Sequence, residues 1–542
     1  MNKKFLAVAA AACSFALLLS GCGSSNSSSS SSDSAVITAS NTEPQNSLIP
    51  GNTNESSGGK VVDLLFARLV SFDVKGNPEN EVAESITPNS DSSEYTIKIK
   101  SGWKFTDGTP VTSESFAKAW SYTANAKNAQ LGASFFSTIA GYEDLQKSDL
   151  TGTEQLSGLS TPDDSTLVVK LSQPDSVFGI KIGYTSFAPL PESFYKDPKA
   201  FGENPVGNGP YKFTKWDHNK EIVLTKNPDY KGNEVAKNNG ITFKIYTDTE
   251  ASYRDVQAGN LDVMDSVPAS ASKTFKTDPK VEAYSAAGSV FQSFTIPSGL
   301  EHFNTSTEEG RLRRQAISKA INRDLICKKI LNGNCTVAVD FTSPVTSGYS
   351  KTLKGNDVLK YDAKEAKKLW EEANKISPYD GTLTFSYNAD GGAKPIYDAV
   401  VNSINNALGI NAQTSPVATF QEFRTAISNR QISGAFRTGW MPDYPSAENY
   451  LAPLYSTAAA DGNGSNDGDY KNSEFDELIS KAAQATTTEE ANKLYQQSEE
   501  ILLRDLPSIP LYYSNANGVA AKGVKGFVMN WQNLPDYTQI TK

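Results

Sequence analysis

Histidine is nearly missing: the 542 residues hold only His218 and His302. That excludes a His-rich metal centre, and neither residue sits in a His-Glu-x-x-His pattern. Any Ser/His/Asp triad would have to use one of these two. No Gly-x-Ser-x-Gly elbow lies at a readable strand-to-helix junction, and no Walker or Gly-x-Gly-x-x-Gly loop follows a strand. Residues 461–472 have the acidic look of a calcium loop. However, Asn466 stands where Gly is needed and Asn472 where Glu is needed, so they read as a turn. No cofactor is expected. Positive charge is also in deficit, with 51 Lys and Arg against 61 Asp and Glu. Nucleic-acid binding needs a basic face, so that class is excluded. After residue 19 there is no second long apolar run, so nothing else in the chain is expected to cross a membrane.

The one apolar run that exists is informative. Lys3 and Lys4 precede it, residues 5–19 form it, and Leu19-Ser20-Gly21-Cys22 ends it. A basic start, a short apolar segment and a small-residue cleavage site describe a secretory signal over residues 1–21. Leu-Ser-Gly-Cys resembles the bacterial lipobox, which makes Cys22 the expected lipid-bearing mature N-terminus. The competing reading is an ordinary secreted chain with a chance cysteine. Residues 22–34 are dominated by Ser and cannot bury apolar surface, so they are expected to form a disordered tether. Losing residues 1–21 takes two lysines and no acid from the totals, leaving a charge of −12. Of the four cysteines, Cys13 leaves with the signal and Cys22 carries lipid. Cys327 and Cys335 remain, in an oxidising compartment where a local disulfide is expected. Two buried thiols are the alternative.

The remaining chain exceeds what one core usually serves, so two or three domains are expected. Period-two alternation marks strands at 95–100, 166–171, 222–224, 241–245 and 383–387. Apolar positions at i+4 mark helices around 312–321, 363–374, 395–408 and 489–503. Strands and helices interleave to the end, which argues for an α/β fold. No Pro-rich linker divides the chain, so the backbone is expected to cross between domains more than once.

Six stretches then share a resemblance. They are Trp103-Lys-Phe-Thr-Asp107-Gly108-Thr-Pro110, Pro205-Val-Gly207-Asn-Gly209-Pro210-Tyr211 and Leu312-Arg313-Arg314-Gln-Ala316 through Arg323. Gly439-Trp440-Met441-Pro442-Asp443-Tyr444-Pro445, residues 466–476 and residues 507–513 complete the set. Together, and in order, they resemble solute-binding protein family 5, the peptide-binding lipoproteins of ABC importers. The resemblance implies a periplasmic-binding-protein-like α/β fold, with two lobes joined by two crossing strands plus an extra domain. It puts lobe one at 35–70, 185–288 and 510–542, the extra domain at 71–184, and lobe two at 289–509. It implies a monomeric, lipid-anchored extracellular receptor, not an enzyme, that passes peptides to a permease powered by a separate ATPase.

The resemblance also assigns residues. Asp443 is implied as the anchor for a peptide α-ammonium, with Gly439 and Trp440 lining the site. Arg437 is implied as a partner of the peptide carboxylate. Tyr512, Tyr513, Phe291 and Phe294 are implied as cleft-lining aromatics near the crossings. Each has a plainer reading: a surface Asp in a Pro-flanked turn, a structural salt bridge, and core packing. Arg313, Arg314 and Arg323 read as solvated or ion-paired. Met441 stands where some relatives have a half-cystine, and Pro442 restricts Met441. An oligosaccharide receptor is the main alternative, because Trp and Tyr also stack on sugars. A surface-displayed glycan hydrolase is the second, because acids are abundant.

Overall fold

The computed structural model describes residues 35–53 and 55–542. The expected signal, Cys22 and the Ser-rich tether lie outside the described residues.

Eleven strands form one large sheet. In chain order they are β1 (Val36–Asn41), β2 (Tyr211–Asp217), β3 (Glu221–Lys226), β4 (Gly240–Ile245), β5 (Val263–Met264) and β6 (Val281–Thr295). They continue with β7 (Cys335–Val337), β8 (Thr382–Asn388), β9 (Asn411–Val417), β10 (Ala435–Trp440) and β11 (Ser508–Ala521). The spatial order is β9-β8-β10-β6-β11-β5-β1-β4-β3-β2, with β7 paired to β11. Parallel pairs β8–β9 and β1–β4 flank an antiparallel centre, as expected of a mixed α/β fold. A separate four-stranded antiparallel sheet holds Ala83–Pro88, Glu94–Ile99, Thr166–Lys170 and Leu159–Asp163.

Apolar residues gather into two large cores. The first spans residues from Ile37 to Phe243 and takes in Val263, Ala520, Tyr537 and Ile540 from later segments. The second is built from Phe291 to Tyr513, with Val177 added from far upstream. Val177 has local company. Ser176 N–H donates to Ala483 O at 2.8 Å, Ser176 Oγ donates to Ala482 O at 2.6 Å, and Ser92 Oγ donates to Ala485 O at 2.9 Å. The four-stranded-sheet region therefore rests on the C-terminal end of the helix Ser473–Ala483.

β6 and β11 link the two cores. Val281 to Ala287 pair with Ala521 to Asn515, and Phe291 to Thr295 pair with Tyr513 to Ser508. The register breaks between Ala287 and Phe291. Gly288 lies in that break, and a Cβ there would fall 2.7 Å from Ser514 O and 2.9 Å from Ala516 N. Only glycine lets the two backbones approach so closely. Gly207 answers the same need in the Pro205–Tyr211 turn, where a Cβ would meet Leu65 O at 1.9 Å.

The segment 340–350 braces this break. Ser343 Oγ donates to Gly288 O at 2.7 Å, and Tyr513 Oη donates to Asp340 O at 2.8 Å. Tyr450 Oη donates to Ser289 O at 2.6 Å. Beneath it, Asp340 and Glu499 are both fully buried. Neither has a salt-bridge partner among the described residues, and neither Glu499 oxygen has a conventional hydrogen-bond donor. Burial raises both carboxyls, Glu499 well above its ordinary range; the charge of Asp340 adds to the rise of Glu499, while a hydrogen bond with Glu499 holds back that of Asp340.

The arginines of the helix Glu308–Ala320 and its end depart from expectation. Arg313 pairs with Glu309 at 3.0 Å and stacks on Trp370, as an ion-paired residue should. Arg314 and Arg323 are buried, and neither pairs with a carboxylate among the described residues. Arg314 donates to the carbonyls of Phe303, Ile296, Pro297, Leu506 and Pro507. Arg323 donates to those of Pro510, Ser318 and Leu359. Burial pulls each guanidinium down to about 9, still protonated at neutral pH. They satisfy carbonyls at the ends of β6 and β11 that the ladder leaves free. Cys327 and Cys335 are joined by a disulfide, with Cα atoms 5.5 Å apart.

Candidate functional site

β10 carries the site. Its antiparallel ladder with β6 pairs Phe291 with Trp440, Gln292 with Gly439 and Ser293 with Thr438. Its parallel ladder with β8 pairs only Ala435 and Phe436. Beyond Phe436, one edge of β10 is not part of any strand ladder among the described residues. Gly439, on that stretch, is exposed.

A cavity of about 370 Å³ opens beside this stretch. Ser293, Thr295 and Thr438 lie on one face of the strands, with Ser293 Oγ 2.8 Å and Thr295 Oγ1 3.2 Å from Thr438 Oγ1. Phe291, Phe423 and Trp440 are aromatic walls. Phe420 and Met441 stand at the border, 51% and 49% exposed. Arg424 and Asp467 also line the cavity and are paired at 2.7 Å. The volume and the mix of aromatic walls with polar and charged groups suit a small-ligand or side-chain pocket.

After Trp440 the chain turns through Pro442 and Pro445 into the helix Ala447–Tyr455. Ser446 caps it, its Oγ accepting from Glu448 N–H at 3.3 Å. Glu448 in turn accepts from Tyr444 Oη at 2.5 Å. Asn449 Oδ1 accepts from Trp440 Nε1–H at 3.1 Å and from Asp443 N–H at 3.0 Å. The turn is thus held from within its own next helix.

Asp443 is half-buried. No ion pair engages its carboxylate among the described residues. Burial pushes the carboxyl up to about 6; a hydrogen bond from the Asn449 side chain opposes the rise, and the charge of Glu448 adds to it. Tyr184, from the first-core side, lies within electrostatic reach of both Asp443 and Asp63, and burial with those charges raises its phenol. A Cβ on Gly76 would lie 2.8 Å from Pro445 Cβ and 3.3 Å from Trp531 Cβ. The Asp443 turn therefore faces residues of the first core.

Phe291, Arg437, Gly439 and Trp440 all line the cavity. Asp443 stands just past Trp440, outside its walls. Arg437 and Trp440 are an odd number of residues apart on a strand and point to opposite faces. Arg437 Nη1 donates to Asn388 Oδ1 at 3.3 Å, and no carboxylate pairs with it among the described residues. Tyr512 is 8% exposed; burial lifts its phenol to about 12, against the charge of Arg437.

Phe294 and Tyr513 are not among the residues that line this cavity. Both are fully buried in the second core. Phe294 packs edge-on against Phe385 at 5.1 Å, and Tyr513 spends its hydroxyl on Asp340 O. Their alternation on strands buried on both faces placed them inside. Sequence reasoning also missed Phe420, Phe423, Arg424, Asp467 and Asn449. Thr419-Phe-Gln-Glu422 carries a capping-box signal, and the structure forms that box at the start of the helix Phe420–Ser428. A helix beginning there was legible, but its role as a cavity wall was not.

Residues 77–462 match the family of bacterial extracellular solute-binding proteins, family 5. The chain is 28% identical over 461 residues to the dipeptide-binding protein DppE of Bacillus subtilis, covering 83% of this chain and 81% of that protein. It is 26% identical over 506 residues to the oligopeptide-binding protein OppA of the same species, covering 90% and 89%. The fold is similar to that of the periplasmic murein tripeptide binding protein MppA in its unliganded open form. That likeness has a TM-score of 0.81 at 22% identity, over 94% of this chain and 97% of the other.

Proposed function

The chain belongs to the family 5 bacterial extracellular solute-binding proteins, and from that premise we propose that it is a peptide receptor of an ABC importer. It captures an extended peptide and hands it to a transmembrane permease. The observation that carries this reading is the pairing of an open β10 edge with an uncompensated Asp443 carboxylate. The edge past Phe436 offers backbone groups for a peptide strand to join, as in strand addition. The carboxylate offers a place for the peptide ammonium, since a charge leaving water needs a partner. The cavity beside Trp440 receives a side chain. Arg437, free of acidic partners among the described residues, is available to a peptide carboxylate, though from the other face of the strand.

In this reading lobe one comprises 35–70, 185–288 and 510–542, the extra domain 71–184, and lobe two 289–509. The lobes close about the β6–β11 break, and ligand favours closure only by its higher affinity for the closed form. The protein works as a monomer, held outside the membrane by lipid on Cys22. Cys22→Ala should release it into the medium while leaving peptide binding intact; loss of binding as well would make the tether part of the fold.

Native mass spectrometry of protein purified without denaturation tests the ligand class. A ladder of peptide masses is expected. A sugar mass on the cavity would overturn the peptide reading in favour of an oligosaccharide receptor.

A further inference from the structure

Asn449 occupies an unusual place. It is 3% exposed, the third residue of the helix Ala447–Tyr455, and it belongs to no motif. Its Oδ1 accepts two hydrogen bonds, one from the Trp440 indole and one from the Asp443 backbone amide. Its amide end can only donate, and Asn449 holds back the rise of the Asp443 carboxyl. A single side chain therefore fixes both the indole that walls the cavity and the backbone of the turn that carries Asp443.

Other side chains of similar size would not do the same work. Leucine would leave the indole N–H and the Asp443 N–H without an acceptor, at the cost of two desolvated donors. Aspartate would keep the acceptor but set a second carboxylate against Asp443. Serine is too short to serve both donors. We propose that Asn449 is a specificity-determining positioning residue, which locks Trp440 and Asp443 into one unit and so selects ligands that present an ammonium group.

The inference rests on the reading of Asp443 as the ammonium anchor. The charges around that anchor otherwise work against it. Glu448, on the same helix as Asn449, adds its negative charge to the rise of the Asp443 carboxyl. Lys181, a half-buried cation beside Glu448, is held by Asp175 at 2.8 Å and sits 3.8 Å from Glu448, with its ammonium over the Tyr444 ring. It is committed to that cluster. Asn449 is the group named here that opposes the rise of the Asp443 carboxyl and favours its ionised form. Without it the carboxyl protonates at higher pH and loses its claim on an ammonium.

The test uses the full chain and a mixed-sequence tetrapeptide library in free and N-acetylated forms, with binding followed by competition and native mass spectrometry. The readout is the ratio of free-amine to acetylated affinity, and its dependence on pH. Wild type should favour the free amine strongly, and Asp443→Asn should abolish the preference. Asn449→Ala should reduce the ratio at least tenfold and move the acid limb of free-amine binding to higher pH. Asn449→Ser, a milder truncation, should fall between if Asn449→Ala folds poorly. A merely structural role predicts equal loss for both peptide forms and an unmoved acid limb, and that outcome overturns the proposal. Indifference of wild type to acetylation, or a free-amine preference retained by Asp443→Asn, overturns the anchor reading instead, and this inference with it.

Discussion

Asp443 illustrates what a motif can and cannot convey. Its identity and its neighbour Trp440 were legible because Gly-Trp-x-x-Asp-Tyr is a local string. Its lack of a cation and its half-buried setting depend on residues hundreds of positions away, such as Tyr184. Replacing Asp443 with Ala should weaken binding of a free-amine peptide by about 2–5 kcal/mol, the scale for losing one side of a desolvated charge pair; calorimetry measures it. The pH dependence follows from the carboxyl lying at about 6 in the empty protein. Binding an ammonium requires the ionised form, so affinity should be steady above that pH. Below it, affinity should fall by up to about tenfold per unit as a proton must first leave. Calorimetry at several pH values between 5 and 8 checks the sign. Phe294 and Tyr513 show the opposite lesson. An aromatic on a crossing strand looks the same in sequence whether it faces ligand or core, and only the packing of Phe385 and the reach of Asp340 decide.

At the scale of elements, the sequence was readable wherever local periodicity matched burial. The alternation at 95–100 and 241–245 became Glu94–Ile99 and Gly240–Ile245, and the i+4 pattern at 363–374 became Ala363–Ile376. Pairing was not readable in the same way. That residue 281 meets residue 521, and that the register fails near Gly288, is a matter of long-range packing with no local trace. Gly288→Val should force the ribbon apart against Ser514 O and Ala516 N, costing about 1–3 kcal/mol by overpacking. A denaturant melt reads the loss. The Cys327–Cys335 link closes a short loop, so replacing both with Ser should lower stability by about 2–3 kcal/mol, seen in the same melt.

The whole molecule adds terms that no single element contains. Asp340 and Glu499 come from a loop and a helix far apart in the chain, and meet under the break between the cores. In the unfolded chain each carboxyl loses its proton near pH 4, whereas the folded pair retains one above that. Their stabilisation is fully present below the unfolded value and is lost as pH rises toward the folded one. Glu499→Gln cannot ionise, so its stability should decline less than that of wild type between pH 5 and 8. Chemical denaturation across that range measures the two slopes; equal slopes would mean the pair carries no shared proton.

Arg314 and Arg323 give the two crossing strands a fastening of a particular kind. Each grips carbonyl oxygens, which neither titrate nor trade partners with dissolved ions. Surface ion pairs loosen as salt screens them, but a buried guanidinium on backbone oxygens is shielded from that. If the lobes close about the β6–β11 break as proposed, the strands on which they turn keep the same grip whatever the ionic strength of the surrounding medium.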